Sequence, residues 1–421
     1  MPWPFRKTGR FAVALAVAAA LTLTYLSSFG EKGGVLDALD AHGPASEAVS
    51  SNDLFFPVIT KSWAFATPSP TPATMPSCGA ARELSTFSPL ALADFTSITP
   101  LGNLNPSGHT FPTDHVYFIL RQSDPAFAPG IPAEVPLHSP AGGWISSLSR
   151  SENLTAGYAD YSIAVSPCRE FEIQLGHVTT LSQRLSDRLV APFDTCNEYA
   201  TGGQSYRYCY KSFRETEIGV AAGERLGTAG GRAGQNALDV WARDSRASPL
   251  VYANPSRWSG PALQVVCPLD YFVGGVKNAL YGKVPRTLPP ICGEVEQDEP
   301  STAQGVWFVL GTTQTYPEDP HLALVHDNFD PSQGAFSVGT SMSRSGLSSG
   351  VYRFTPANVG RVNRDFSDVT DGNIYCYEPQ YMTTIILQLT GPNTLRIERQ
   401  TEASCGNGPW VFGTSHTDFE R

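Results

Sequence analysis

Helical periodicity is almost missing from these 421 residues, and so are several motifs that would name a chemistry. None of the eight cysteines forms a Cys-x-x-Cys pair, which excludes a zinc ribbon or a thioredoxin-type redox site. No Gly-x-Ser-x-Gly element is present, so a serine-hydrolase reading has no support. The glycines at Gly227, Gly230 and Gly231 lack the Gly-Lys-Ser/Thr ending of a phosphate loop. There is no cluster of Lys and Arg, and the net charge is −10, so the basic face that nucleic-acid binding needs is absent. Charged residues are few (16%), while Gly (38) and Pro (34) are abundant, a balance that fits many short strands joined by tight turns.

What is present begins with an export signal. Arg6, Lys7 and Arg10 precede the uncharged run Phe11 to Leu26, a basic segment followed by an apolar one of the kind a secretion machine reads. The run is at the short edge of what spans a bilayer, which takes about 20 helical residues. Residues 1–30 therefore read as a signal peptide or a signal anchor, and the absence of a clean Ala-x-Ala site after Ser27 leans toward an anchor. Residues 31–77 read as a spacer rich in Pro, Ser and Thr, semi-rigid and extended. All eight cysteines lie downstream, an even number in an exported chain, which predicts disulfides in an extracytoplasmic, secreted or membrane-anchored protein. Local pairing suggests Cys196 with Cys209, Cys267 with Cys292 and Cys376 with Cys405, leaving Cys78 for Cys168.

The fold class expected is mainly β. Strand-like segments include His115 to Leu120, Gly143 to Ser146, Tyr161 to Val165 and Phe171 to Leu175. The best helical stretch is Thr180 to Leu189. An acidic break at Glu294 to Gln304 divides a β-domain at 78–300 from a second small sandwich or barrel at 305–421. In the latter, Leu395 and Ile397 point inward by alternation, and Arg396 and Glu398 outward. Asn363 to Asp368 and His326 to Asn328 concentrate polar groups there of a kind that can bind a ligand or a calcium ion, with solvated turns as the plainer reading.

Four stretches of the first domain stand in a suggestive order: Gly108-His-Thr-Phe-Pro-Thr-Asp-His115; Glu134 to Ile145; Ile173-Gln-Leu-Gly-His-Val178; and Val220-Ala-Ala-Gly-Glu-Arg-Leu-Gly-Thr-Ala-Gly230, followed by Ala237-Leu-Asp239. Together they resemble the LytM-type, lysostaphin-like metallopeptidase domain over about residues 95–245. In that family a His-x3-Asp element opens the core, a strand histidine and a glycine-rich turn follow, and a His-x-His strand closes the site. The resemblance implies a LytM-like β-sheet, one divalent metal ion such as zinc, and peptide substrates, peptidoglycan or a cell-surface peptide or protein among them. It points to His109 or His115, Asp114 and Asp239 as metal ligands, and to His177 as catalytic base or oxyanion partner.

The departures fall on the chemistry. His109 and Asp114 are five apart, and Ala237-Leu-Asp239 replaces the closing His-x-His. One His with two carboxylates is an unusual zinc set, because carboxylates suit harder metals. Each residue also has a plain structural role open to it: His109 and His115 as strand-entry histidines, Asp114 as a turn cap, His177 as an edge-strand histidine, Asp239 as the buried partner of an arginine. Three readings follow: a weakened metal-dependent peptidase, an inactive binding or regulatory module at the cell surface, or a purely structural disulfide-bonded surface protein.

Overall fold

The computed structural model describes residues 74–123, 130–189, 192–380 and 384–421. The N-terminal apolar run, and the spacer as far as residue 73, lie outside them. The protein is mainly β, as the sequence predicts, and its described residues form two antiparallel sheets within one compact unit.

The first sheet has eleven strands: β1 (Phe95–Thr99), β2 (Val116–Leu120), β3 (Val135–His138), β4 (Gly143–Asn153), β5 (Tyr158–Cys168), β6 (Phe171–Leu181), β7 (Thr195–Thr201), β8 (Gln204–Ser212), β9 (Gly219–Val220), β10 (Arg225–Ala229) and β11 (Ala237–Asp244). They run in the order β1-β2-β11-β6-β5-β4-β8-β7, with β10 joining β3 and β6. Alternation decides which face is which. Val116, Phe118 and Leu120 of β2, Ile173 and Leu175 of β6, and Leu238, Val240 and Ala242 of β11 enter one core. His115, Tyr117, Asp239 and Trp241 therefore occupy the opposite face. Cross-strand registers then set Asp239 between Tyr117 and Gly176.

The second sheet comprises β12 (Gly305–Val309), β13 (Leu322–His326), β14 (Gly334–Val338), β15 (Gly350–Phe354), β16 (Tyr375–Tyr377), β17 (Ile385–Gly391), β18 (Thr394–Arg399) and β19 (Thr417–Glu420). Its order is β15-β14-β13-β12-β19-β18-β17-β16. Both faces of β13 are buried: Leu322 and Leu324 join Phe336, Phe354 and Tyr377 in one core, while Ala323 and Val325 join Leu104, Phe111 and Phe308 in another. This explains the unbroken apolar run there, since a strand covered on both sides has no polar face to alternate. Phe111 stacks on His321 at 5.4 Å, so the loop carrying His109 is seated on the second sheet.

All four disulfides form as expected: Cys78–Cys168, Cys196–Cys209, Cys267–Cys292 and Cys376–Cys405. They imply maturation in an oxidising, extracytoplasmic compartment. No helix among the described residues is long and apolar enough to cross a membrane.

Several local expectations need correction. The stretch from Thr180 is strand through Leu181 and turns helical only from Gln183, as α-helix over Gln183–Ser186 and 3-10 helix over Asp187–Leu189, because Thr180 is paired with Thr228 of β10. Glu398 does alternate away from the core, yet it is buried: residues 413–415 fold over it, and Gly413 N and Ser415 N donate to its carboxylate. The acidic break is packed as well, with Asp298 accepting from Ala253 N and Val306 N, both at 2.8 Å. His326 meets Asp365 at 3.2 Å, and Asp327 and Asn328 are buried.

Candidate functional site

Five residues singled out in the sequence gather on the outer face of the first sheet. Asp114 and His115 sit at the entry to β2, Asp239 on β11 and His177 on β6, while His109 projects from the loop before β2. His115 Nε2 lies 3.5 Å from Asp239 Oδ2, and His177 Nε2 lies 3.2 Å from the same oxygen. The His109 and His115 rings meet edge to face at 5.6 Å.

Local backbone makes this possible. Tyr161 pairs with Val178, but Ile163 pairs with Leu175, so β6 carries one residue more than β5 across Gly176 and His177. A bulge of this kind re-aims a side chain. His177 takes φ +57°, a left-handed conformation that costs a non-glycine residue about 1–3 kcal/mol and persists only where the surroundings enforce it. The enforcement is visible: Gln235 Nε2 donates to His177 O at 2.9 Å, and Gln235 Oε1 accepts from Thr179 Oγ1 at 2.7 Å. Next to it, a Cβ on Gly176 would lie 2.5 Å from the Trp241 ring, so only glycine lets that indole lie across the strand. Trp241 Nε1 in turn donates to Asp114 Oδ1 at 2.8 Å.

Each of the two central imidazoles is held the same way. His115 Nδ1 lies 3.0 Å from Asp114 Oδ1, and His177 Nδ1 lies 2.7 Å from Asp160 Oδ2. A carboxylate on Nδ1 fixes that nitrogen as the donor and leaves Nε2 to face Asp239. A bare Nε2 lone pair facing a carboxylate oxygen is repulsive, so the 3.2 Å contact of His177 requires a cation between the two atoms, either a proton or a metal.

The electrostatics agree with the geometry. The Asp239 carboxylate, helped by Asp160, raises His177 well above the usual histidine range against the opposing effect of burial. Burial would raise Asp239, and His177 and His115 overcome it and hold the carboxyl below its usual value. Burial likewise opposes His115 and Trp241 at Asp114, which ends lowered. His109 goes the other way, pushed by burial and by His115 down to about 4, so it is neutral at pH 7. His115 and Asp239 are both buried, and His115 Nε2 and Asp239 Oδ1 have no hydrogen-bond partner. These are two orphaned buried atoms of ligand type beside a neutral histidine. Asp114 is used differently from Asp239, since one of its oxygens already serves His115 and Trp241.

Among the described residues, the one group of three whose ligand-type atoms all lie close together is elsewhere. Cys78, Cys168 and Glu170 present ligand atoms all within 4.8 Å of one another. The two sulfurs are joined in a disulfide, so no thiolate is available to a metal there.

Above the histidines opens a cavity of about 670 Å³, lined by His109, His177, Ser151, Tyr199, Tyr206 and Tyr316 among others. Its walls come from both sheets. Asp319 binds Ser107 Oγ at 2.9 Å, Gly202 N at 2.7 Å and Thr201 Oγ1 at 2.5 Å, tying the His109 loop to the tip of the β7–β8 hairpin. Glu318 accepts from Phe111 N at 2.9 Å.

Sequence reasoning missed Asp160, Gln235 and the tyrosines. Asp160 carried the same signal that singled out Asp239, a lone acid within an apolar alternation, here Tyr158-Ala-Asp-Tyr-Ser-Ile163. Comparison with family models, curated proteins and solved structures finds no match to this chain.

Proposed function

We propose that the chain is an extracytoplasmic, metal-dependent peptidase with a diverged LytM-type site, held at the membrane by its N-terminal segment or released from it. One observation carries this reading: two imidazoles, each braced by a carboxylate at Nδ1, turn their Nε2 atoms toward one buried aspartate oxygen. That is the arrangement of histidines preset to bind a metal. His115, Asp239 and neutral His109 are the residues that would hold the ion, with Asp114 orienting His115. A bound divalent metal would supply polarisation of the scissile carbonyl and a lowered pKa for water.

The chain's own residues supply the rest. Asp160 keeps His177 in one orientation and, as a carboxylate on Nδ1, favours its protonated form. With Asp239 engaged as a ligand, the Nε2–H of His177 becomes a donor for the oxyanion that develops on the carbonyl oxygen. The cavity over His177 leaves room for an extended peptide, and the resemblance implies the peptides of peptidoglycan cross-bridges or stems. Ala237, standing where the family has a histidine, removes one proton-transfer group and implies weak turnover.

A second reading, a surface binding module without catalysis, is favoured by the 3.2 Å contact of His177 with Asp239, which a proton alone would satisfy. The test is metal content of the oxidised full-length protein, purified without chelator, beside Asp239→Ala. Near-stoichiometric zinc or manganese that disappears in the variant is expected for the peptidase; a metal-free wild type that folds normally would leave the binding module.

A further inference from the structure

We propose that the cavity beside His177 contains a cation-recognising subsite, a wall of three tyrosines that takes the ammonium group of a lysine-type side chain on a bound peptide. That the cavity binds peptide rests on the function proposed above; the charge preference rests on the wall itself. Tyr199 stacks on Tyr206 with ring centroids 5.4 Å apart and an 18° tilt. Tyr316, reaching in from the second sheet, meets Tyr199 at 5.3 Å and 71°. Three tyrosine rings thus gather at one corner of the cavity, and a tyrosine face attracts a cation through its quadrupole. Tyr316 is 48% exposed, so its ring is open to an incoming group.

The charges around the corner agree. None of the described residues lining the cavity is Lys or Arg; apart from the two histidines and three tyrosines they are Asn, Ser, Thr, Gly and Pro. Arg207, next to Tyr206 in sequence, points to the other face of the hairpin by alternation and pairs with Glu198 at 2.8 Å and Glu152 at 3.5 Å. Arg232 lies over the Tyr158 ring at 4.3 Å, and its guanidinium donates to Ala159 O and Gln235 Oε1. Asp319 sits at the rim, holding the backbone of Gly202. A cation entering the corner meets aromatic rings and a nearby carboxylate; Arg207 and Arg232 are engaged elsewhere, and the charge of His177 is matched by Asp160 and Asp239.

Two peptides test this on the full-length oxidised protein by calorimetry: acetyl-Gly-Gly-Lys-Gly-Gly-amide and its norleucine counterpart, which has the same stem without the charge. The lysine peptide is expected to bind roughly three- to thirtyfold tighter. Tyr316→Leu and Tyr199→Leu should erase the difference, and Tyr316→Phe, which keeps the ring, should retain it; circular dichroism verifies folding of each. Equal or tighter binding of the norleucine peptide, no binding of either, or a lysine preference that survives both leucine variants overturns the proposal. A metal-free protein that cleaves nothing yet prefers lysine would sink the peptidase and keep the subsite. A zinc-loaded protein that cleaves both peptides equally would do the reverse.

Discussion

His177 and Asp239 come from neighbouring strands and meet at 3.2 Å, Nε2 to Oδ2, only because a bulge in β6 turns the histidine out of the strand's regular alternation. The contact needs a cation between its two atoms, and Asp160, 2.7 Å from the far nitrogen, decides which atom of the ring faces it.

Asp160→Asn therefore tests the brace. The amide keeps an oxygen for the Nδ1 proton and removes the charge, so the fold and the zinc affinity, which rests on His109, His115 and Asp239, should survive, while peptidase turnover falls by roughly 10- to 100-fold as His177 loses the charge that favours its oxyanion-donating form. Competition with a chromophoric chelator measures the first and cleavage of a peptidoglycan-type peptide the second. Unchanged turnover would mean that His177 is not the oxyanion donor.

Gly176→Ala tests the packing that positions Trp241. The new methyl would sit 2.5 Å from the indole ring, so the ring must move and release Asp114. Overpacking of this kind costs about 1–3 kcal/mol. Urea unfolding should show the loss, and tryptophan fluorescence should shift as the indole leaves its place; a variant as stable as the parent would show that the ring yields freely.

These two positions also mark how far the sequence could be read. Alternation exposed the faces of β2 and β11, and hence Asp239 and Trp241, because period-2 pattern and burial say the same thing there. The even cysteine count and short spacings led to the disulfides, and the resemblance brought His109, Asp114, His115 and His177 together. The bulge at His177 was not legible, since a bulge changes register without changing composition. Nor was the contribution of Tyr316 or Asp319, which reach the site from over a hundred residues beyond β11's neighbours, across a seam that only tertiary packing defines. Glu398 shows the limit of alternation: it tells which face a side chain takes, and not whether a later loop covers that face.

Asp244, at the end of β11, sets an acid limit to stability. Burial would raise its carboxyl, but hydrogen bonds from Arg246 and Tyr271 prevail and hold it at about 2. Because the folded value is below the unfolded 3.8, the stabilisation is complete above about pH 4 and is lost as pH falls toward 2. It amounts to something on the order of 2 kcal/mol. Asp244→Asn should lower stability at pH 6 by that order and flatten the pH dependence between 4 and 2 in denaturant titrations. An equally steep acid limb in the variant would place the acid sensitivity elsewhere.

Glu318 has the opposite sign. Burial is the main cause that pushes its carboxyl up to about 8, with Asp114 and Asp319 adding to it. Between the unfolded value near 4.5 and about 8 the folded protein holds the extra proton, so stability must fall as pH rises through that window. The slope from this one group cannot exceed about 1.4 kcal/mol per pH unit. Phe111 N donates to Glu318, and Phe111 seats the His109 loop on the second sheet, so ionisation at alkaline pH should loosen one wall of the cavity together with the fold. Glu318→Gln keeps an acceptor for Phe111 and cannot ionise. It should be more stable than the parent at pH 8, no more stable at pH 4.5, and should bind cavity ligands with an affinity that no longer drops between the two. If the variant tracks the parent across the window, the carboxyl is not buried as protonated acid, and the loosening of the cavity wall at alkaline pH has another cause.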